Sequence, residues 1–309
     1  MPAGKMHDDE VETDVSLVRR LLAAQFPHWA DLPIQPVRSA GTDNAIYRLG
    51  DDMAVRLPRI HWATAQADKE HRWLPRLAPL LPLAIPVPLA MGAPGEGYPW
   101  HWSVYRWLEG ENATMERIAN PRQAATDLAQ FITALHSIDP TGGPPPGPHN
   151  FGRGEPLAMR DSHTREAIAT LQEQGTLDAD TLAAVTAAWE AALQTPAWHG
   201  PPVWVHGDLQ SGNLLAVQGR LSAVIDFGGL GVGDPAVDLI VAWNLLSAET
   251  RDVFRTALPV DDATWARGRG WALSVGLIAL PYYHITNPVL AGIARHSINE
   301  VLADHKRDE

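Results

Sequence analysis

Residues 203–229 read VWVHGDLQSGNLLAVQGRLSAVIDFGG, and this stretch decides the fold. Two apolar runs, at 214–217 and 221–225, flank the dipeptide Gly219-Arg220. A two-residue turn that begins with glycine is typical of the type II′ turns that join hairpin strands. The pattern therefore predicts a β-hairpin.

Oxygen-bearing side chains gather at the open end of this predicted hairpin. Counting outward from the turn places Asn213 opposite Asp226, and Asp208 lies in the turn that follows the strand before. Two carboxylates and an amide are hard oxygen donors, which suit Mg²⁺ near phosphates and do not suit zinc. The spacing also suits phosphoryl transfer, in which one Asp accepts the proton of the attacking hydroxyl while an Asn and a second Asp hold Mg²⁺.

The segments HGDLQSGN, IDFGG and GDPAVDL resemble the kinase-like fold, and specifically the aminoglycoside phosphotransferase family. The resemblance implies that Asp208 is the catalytic base and that Asn213 and Asp226 bind Mg²⁺, with ATP or GTP as the phosphate donor. It also implies that an acid of GDPAVDL braces the catalytic loop, and Asp238 is the candidate. His206 is expected to orient the same loop by hydrogen bonds.

The resemblance further implies a nucleotide clamp in the first hundred residues. Protein kinases pair a strand Lys with a helix Glu there. The corresponding strand, MAVRLPR at 53–59, carries Arg56 in place of the usual Lys, and Glu70 in the next predicted helix is its expected partner. A guanidinium also binds phosphate, with a different reach and geometry. A phosphate-covering loop and a linker facing the purine supply the remaining candidates, which are Gly41, Thr42, Trp107 and Leu108.

The whole chain predicts an α+β, bilobal, protein-kinase-like fold, with a small β-rich N-terminal lobe and a larger, mostly helical C-terminal lobe that carries the catalytic hairpin. Residues 1–107 would form the nucleotide-clamping lobe after a tail at 1–11, and 108–309 the lobe with the catalytic loop and acceptor site. The first lobe is expected to contain strands at 34–39, 45–49, 53–57, 85–91 and 101–107, and helices at 13–26 and 62–77. The second is expected to contain helices at 121–138, 162–175, 179–194, 235–247, 262–279 and 288–303.

Composition excludes several classes of protein. The 309 residues include 24 Lys and Arg against 36 Asp and Glu, a formal charge of −12, which argues against a general nucleic-acid grip. There is no cysteine, which excludes disulfides, thiolate zinc sites and Cys nucleophiles. Prolines interrupt the most apolar region, 77–91, so no membrane span is predicted, and the acidic N-terminus lacks the apolar region of a secretory signal. We expect a cytoplasmic protein with no obligate protein partner.

The acceptor is expected to be a hydroxylated small molecule, and the sequence favours an aminoglycoside-type antibiotic over a macrolide or a metabolite. A polycation needs carboxylates around it. The segment 155–190 and its flank offer more acids than bases: Glu155, Asp161, Glu166, Glu173, Asp178, Asp180 and Glu190 against Arg153, Arg160 and Arg165. Aromatic residues of the late helices suit the core first and an acceptor pocket second. The acceptor-site candidates are Asp161, Trp265, Tyr282 and Tyr283.

Two other classes of function compete with a small-molecule kinase. A metal-dependent phosphoesterase could use the same acids with His206, but such sites usually need further His or Asp ligands at short spacing. A nucleotide-binding pseudokinase is supported only by the missing Lys, and the intact set of Asp208, Asn213 and Asp226 speaks against it. Release of free phosphate without an acceptor would favour the phosphoesterase.

Overall fold

The computed structural model describes residues 11–37 and 43–308. The chain divides into two compact units: one comprises Met1–Gly110 and Ala223–Gly228, and the other comprises Glu111–Ser222 and Gly229–Glu309. The short segment that carries Asp226 therefore returns to the first unit.

The first unit is built on an antiparallel sheet of five strands, in the order β1-β2-β3-β5-β4. Apolar side chains of helix α1 cover the sheet core, and Asp14 caps that helix by accepting a hydrogen bond from the Leu17 N–H. The elements are α1 (Val15–Gln25), β1 (Ile34–Pro36), β2 (Asn44–Leu49), β3 (Met53–Pro58), α2 (Thr64–Leu77), β4 (Pro88–Gly92) and β5 (Trp102–Arg106).

Prolines bear on two elements of this unit, the strand predicted at 85–91 and the helix predicted at 62–77. Strand β4 begins at Pro88 and not at residue 85, because Pro86 and Pro88 have no N–H to donate to a neighbouring strand. Helix α2 continues past Pro75 to Leu77. A proline this close to the end of a helix removes a single backbone hydrogen bond, which the last turn tolerates.

The second unit is mostly helical and contains two small sheets, β6-β8-β9 and β10-β7. Strand β9 starts in this unit and ends in the first. The elements are β6 (Glu111–Asn112), α3 (Pro121–His136), α4 (Asp161–Glu173), α5 (Ala179–Leu193), β7 (Val203–Val205), β8 (Leu214–Val217), β9 (Arg220–Val224), β10 (Gly231–Gly233), α6 (Val241–Asn244), α7 (Ala248–Ala257), α8 (Asp262–Tyr283) and α9 (Pro288–Asp308).

Helix α7 was not predicted from the sequence, and the segment before it differs from its prediction. The predicted helix at 235–247 is a 3₁₀ helix, Pro235–Ile240, followed by the single turn of α6. A new helix begins after Ser247, whose hydroxyl accepts from the Thr250 N–H. Ser at the cap with an acid in the first turn is the usual start signal of a helix, so the sequence did contain the information.

The hairpin turn lies one residue earlier than the sequence predicted. Gln218 and Gly219 connect β8 to β9, with φ angles of 51° and 76°. Positive φ at both central residues is the mark of a type I′ turn, not of the predicted type II′ turn. Type I′ also matches the right-handed twist of the flanking strands, which explains why the backbone accepts a left-handed glutamine.

The position of the turn changes the register of the hairpin. The Ser222 hydroxyl donates to the Leu215 carbonyl at 3.2 Å, which is two residues away from the partner that the predicted count assigns. The predicted pairing of Asn213 with Asp226 across the hairpin was therefore wrong. Asp226 lies beyond the end of β9, so strand register alone gives no reason to join it to Asn213.

None of the helices in the described residues has the length and apolar character needed to cross a bilayer.

Candidate active site

The loop between β7 and β8 is held by one buried carboxylate. Asp238 accepts hydrogen bonds from the backbone N–H groups of His206 at 3.1 Å and Gly207 at 2.7 Å. Its Oδ2 also lies 3.0 Å from Nε2 of His136. His206 is itself fully buried, and its Nδ1 accepts from the Asp208 N–H at 3.2 Å. Asp238 and His206 thus fix the backbone that presents Asp208.

Gly207 has to be a glycine in this loop. Its φ is +82°, a left-handed conformation that disfavours other residues. A Cβ at this position would lie 2.8 Å from the Cβ of Arg153 and 2.9 Å from the carbonyl oxygen of Gly229. The glycine therefore allows two neighbouring segments to pack closely against the loop between β7 and β8.

Asp208 and Asn213 form a hydrogen-bonded pair on this loop. The Asn213 amide nitrogen donates to the Asp208 carbonyl at 2.8 Å and to its carboxylate at 2.9 Å. Gln210 donates to the same carboxylate oxygen at 3.0 Å. Asp208 is about a third exposed, at 32%, so a ligand can approach its carboxylate.

Asn213 of this pair fits the ligand chemistry of Mg²⁺. Because the amide nitrogen of Asn213 is committed to Asp208, the amide oxygen is the atom left for a ligand, and it makes no hydrogen bond to the described residues. Amide and carboxylate oxygens are the donors that Mg²⁺ prefers. Over the described ranges, no group of three or more His, Asp or Glu is arranged to hold a metal ion.

In the first unit, Arg56 of β3 is bound at both arms of its guanidinium. Nη1 donates to both oxygens of Glu70 at 2.7 and 2.8 Å, and Nη2 donates to Oε1 of Gln66 at 2.7 Å. Nη2 also lies 3.6 Å from Oδ1 of Asp226. Burial works against the charged form of Arg56, but the charge of Glu70 outweighs it and the pKa of Arg56 is raised. The hydroxyl of Tyr105 donates to Glu70, which completes the cluster.

Helix α2 also holds the segment that carries Asp226. The Lys69 ammonium donates to the carbonyl oxygen of Gly228 at 2.7 Å. Burial and the charge of Arg56 lower the pKa of Lys69 to about 8, although Glu70 acts in the opposite direction. Asp226 has a left-handed backbone, with φ of 62°, and is about half exposed.

Arg56 and Glu70 were predicted from the sequence, whereas Gln66 and Lys69 were not. Residues 66, 69 and 70 lie three and four positions apart, which places them on one face of a helix. That spacing was the available signal, and it was not used.

The remaining candidates for the nucleotide site differ in what the structure describes of them. Gly41 and Thr42 lie outside the described residues. The Trp107 N–H donates to the carbonyl of Asp52 at 2.7 Å, so this backbone group is not available to a purine. The Arg48 guanidinium lies 4.8 Å from the centre of the Trp107 ring, and Leu108 is half-buried.

The acceptor-site candidates lie in different environments. Asp161 accepts from the Trp189 indole at 2.8 Å and pairs with Arg165 at 2.8 Å, and these bonds lower its pKa. Trp265 is 4% exposed and packs against other aromatic rings, which favours the core role that its spacing predicted first. Tyr282 is exposed, and its ring lies 4.7 Å from that of Tyr283, perpendicular to it.

An antiparallel sheet with a buried Arg–Glu pair, together with a helical unit whose Asp–Asn loop is braced by a buried aspartate, defines a kinase-like α+β protein. Solved structures share this fold. A GDP complex of wild-type aminoglycoside 2'-phosphotransferase-IIIa is similar with a TM-score of 0.74 and 17% identity, covering 95% of this chain and 100% of that one. A macrolide 2'-phosphotransferase from Brachybacterium faecium has a TM-score of 0.60 and 22% identity, covering 93% of this chain and 98% of that one.

The chain belongs to the phosphotransferase enzyme family, whose sequence profile matches residues 34–271. A curated relative, the aminoglycoside 3'-phosphotransferase of Escherichia coli, is 36% identical over 80 residues. That match covers 24% of this chain and 30% of the relative, so this chain is aligned with less than a third of that protein.

Proposed function

We propose that this protein is a Mg²⁺-dependent phosphotransferase that moves the γ-phosphate of ATP or GTP to a hydroxyl group of a small molecule. The observation that carries the proposal is the Asp208–Asn213 pair on a loop that Asp238 holds rigidly. A carboxylate that is exposed, oriented and paired with an amide is the arrangement that phosphoryl transfer to an alcohol needs.

Each residue of the site has a separate task in this proposal. Asp208 accepts the proton of the acceptor hydroxyl as the oxygen attacks. Asn213 and Asp226 would hold Mg²⁺, which when bound neutralises charge on the phosphates of the nucleotide. Arg56, fixed by Glu70, would bind the phosphates of the donor.

The proposal that the phosphate donor is a nucleotide rests more on the relatives than on the side chains of this protein. The solved structures of similar fold include complexes with GDP, ADP and ATP, which supports a purine nucleotide as donor.

The case for a polycationic acceptor becomes weaker once the acids are seen in place. Asp161 and Glu190 both pair with Arg165, and Asp178 caps helix α5 by accepting from Thr181. Carboxylates that are already bound to the protein contribute less to a cationic ligand. Aminoglycosides and macrolides are acceptors of the relatives, and each belongs in the panel that tests this protein.

The test is transfer of phosphate, read as the mass of the phosphorylated product, by the parent protein and by Asp208→Asn. ATP and GTP are each offered with aminoglycosides, macrolides, sugars and hydroxy acids, and free phosphate is measured in parallel. We expect Asp208→Asn to lower the transfer rate by about 10²–10⁴-fold, since a general base contributes this much.

Asp252→Asn, an exposed acid of helix α7, is the matched control and should transfer at the parent rate. A rate in Asp208→Asn within about threefold of the parent would contradict the role of the base. Release of free phosphate without any phosphorylated acceptor would favour a metal-dependent phosphoesterase instead.

A further inference from the structure

A loop that the proposed chemistry does not use lies against the catalytic loop. The buried amide of Asn150 donates to the carbonyl of Arg153 at 3.0 Å and to that of Gly229 at 3.4 Å. The carbonyl of Gly154 in turn accepts from the Asp234 N–H at 2.8 Å. These bonds hold the backbone of Arg153 in one place, and its Cβ lies over Gly207. Arg153 is therefore built into the site and is not a loose surface residue.

The guanidinium of Arg153 is only partly satisfied. Nη2 lies 3.7 Å from Oδ1 of Asp208, which is an ion pair at long range. Nη1 is buried and has no hydrogen-bond partner among the described residues. Burial lowers the pKa of Arg153, and Asp208 offsets this only in part. A buried donor on a charged group is costly without an acceptor, and residues 11–37 and 43–308 supply none to this nitrogen.

A second arginine lies beside the first. The Arg160 guanidinium lies 4.6 Å from the centre of the Trp271 ring, and that of Arg153 lies 5.9 Å from the same ring. Nε of Arg160 donates to the Ser274 hydroxyl at 2.8 Å, while its two terminal nitrogens make no hydrogen bond within the described part of the chain. Burial lowers the pKa of Arg160, and the charge of Arg153 lowers it further, against the opposing charge of Glu155.

Two like charges placed side by side need a reason in a protein whose net charge is −12. An aromatic ring and a serine support the pair, but neither neutralises it. A guanidinium fork matches the two oxygens of a carboxylate or phosphate group, and an ammonium of a polycation would be repelled.

We propose that Arg153 and Arg160 bind an anionic oxygen group of the acceptor, a carboxylate or a phosphate, and so hold the acceptor beside Asp208. The inference rests on the proposed function, because it names the class of acceptor for that site. It replaces the polycationic acceptor that the sequence favoured with a hydroxylated anion. Arg160 is a binding residue in this scheme, and it takes no part in the proton transfer.

The test is calorimetric titration of the protein saturated with ADP and Mg²⁺, so that donor phosphate sites are filled. The probes are glycerate and glycerol phosphate, with glycerol as the neutral counterpart and kanamycin as the polycation. The parent should bind at least one of the two anions and neither of the other probes. Arg160→Gln should weaken anion binding by about tenfold or more, since truncating one partner of a desolvated charge pair typically costs this much.

Two further variants separate binding from folding. Arg160→Lys keeps the charge and should retain part of the affinity. Arg165→Gln, an exposed arginine of helix α4 that pairs with Asp161 and Glu190, should bind the anions as the parent does. The melting temperature of each variant is measured beside the titration, so a fall in affinity is read only on folded protein.

Several results would overturn the inference. Anion binding that is unchanged in Arg160→Gln, absent in the parent, or weaker than kanamycin binding would each do so. A weaker affinity for ATP in Arg160→Gln with unchanged binding of the anions would assign the pair to the donor instead. Because the titration involves no turnover, its failure is distinct from that of the proposed function, which depends on the rate of Asp208→Asn.

Discussion

At the scale of single residues, Arg56 shows how an arginine in place of the usual lysine changes the contacts within a site. A lysine at this position would have one nitrogen to offer. Arg56 has two, and the chain uses both, one on Glu70 and one on Gln66. The residue that stands in for the usual Lys is therefore accompanied by a second acceptor, Gln66, which the other arm of the guanidinium reaches.

We predict that Arg56→Lys lowers kcat/KM for the nucleotide by about tenfold or more, because it loses one hydrogen bond from a charged donor and leaves Gln66 buried without it. Steady-state kinetics with varied nucleotide measures the effect, with the surface variant Arg19→Lys as control.

The double variant Arg56→Lys with Gln66→Ala checks the physical reason. If Gln66 serves the guanidinium, its removal should add little to the loss in Arg56→Lys, and the two effects should not be additive. Parent-like kinetics in Arg56→Lys would contradict the two-armed arrangement.

At the scale of elements, the β8–β9 turn is a local feature with a measurable cost. Gln218 adopts φ of 51°, where non-glycine residues are disfavoured, and Asn tolerates this region better than Gln. We predict that Gln218→Asn raises the free energy of unfolding by about 0.5 kcal/mol, since Asn-Gly is the preferred type I′ pair. Denaturant titration of the two proteins measures this difference.

Gly219→Ala is the opposing variant in the same turn. Its Cβ would lie 2.7 Å from the Cβ of Ala119 at a φ of +76°, so it should destabilise the protein. A hairpin that gained stability from alanine here would contradict the type I′ assignment.

Helix α7, which the sequence analysis missed, is tied to α9 by a buried ionic cluster. Arg251 is 1% exposed and pairs with Asp304 at 3.3 Å and with Glu300. Asp304 also accepts from the Trp243 indole at 3.1 Å. Burial disfavours the charge of Asp304, but Arg251 and the other donors outweigh it, and the pKa of Asp304 is lowered.

We predict that Asp304→Ala lowers the free energy of unfolding by about 3–5 kcal/mol, because it leaves the buried guanidinium of Arg251 short of its partner. Asp262→Ala, which breaks the exposed pair of Asp262 with Arg255, should cost about 1 kcal/mol or less. Thermal or denaturant unfolding of both variants makes the comparison. Equal losses in the two would show that the cluster is not a buried charge network.

At the scale of the whole molecule, binding of the proposed ligands, a nucleotide and Mg²⁺, should change the stability of the folded protein. Arg56 and Asp226 belong to one compact unit of the chain, and Asp208 and Asn213 belong to the other. Any ligand that binds only the folded chain raises its stability, by about 2.7 kcal/mol at a hundred times Kd.

We therefore predict that ATP with Mg²⁺ raises the melting temperature more than ATP alone, and that Asp226→Ala loses the increment from Mg²⁺ but keeps that from the nucleotide. Differential scanning calorimetry at fixed ATP and rising Mg²⁺ measures it, with Asp252→Ala as the control. A Mg²⁺ titration in Asp226→Ala that matches the parent would remove this residue from the metal site.

The sequence by itself determined the local features of this protein. The turn residues around His206-Gly207-Asp208, the strand pattern of β2 and β3 and the helical spacing of α1 and α3 depend on chemistry within a few residues, and the structure has these elements close to the predicted positions. The identity of the family also follows from short motifs, and the family match confirms it.

Only the tertiary structure decided which distant residues meet. Gln66 contacts Arg56 and Lys69 contacts Gly228, while Arg153 and Arg160 both lie near the ring of Trp271. These contacts join segments that are separated in the chain. The hairpin register was also decided there, because Gly219 packs against Ala119 and its carbonyl accepts from the Ala119 N–H. Spacing along a sequence carries local periodicity, whereas burial and charge pairing depend on the whole fold.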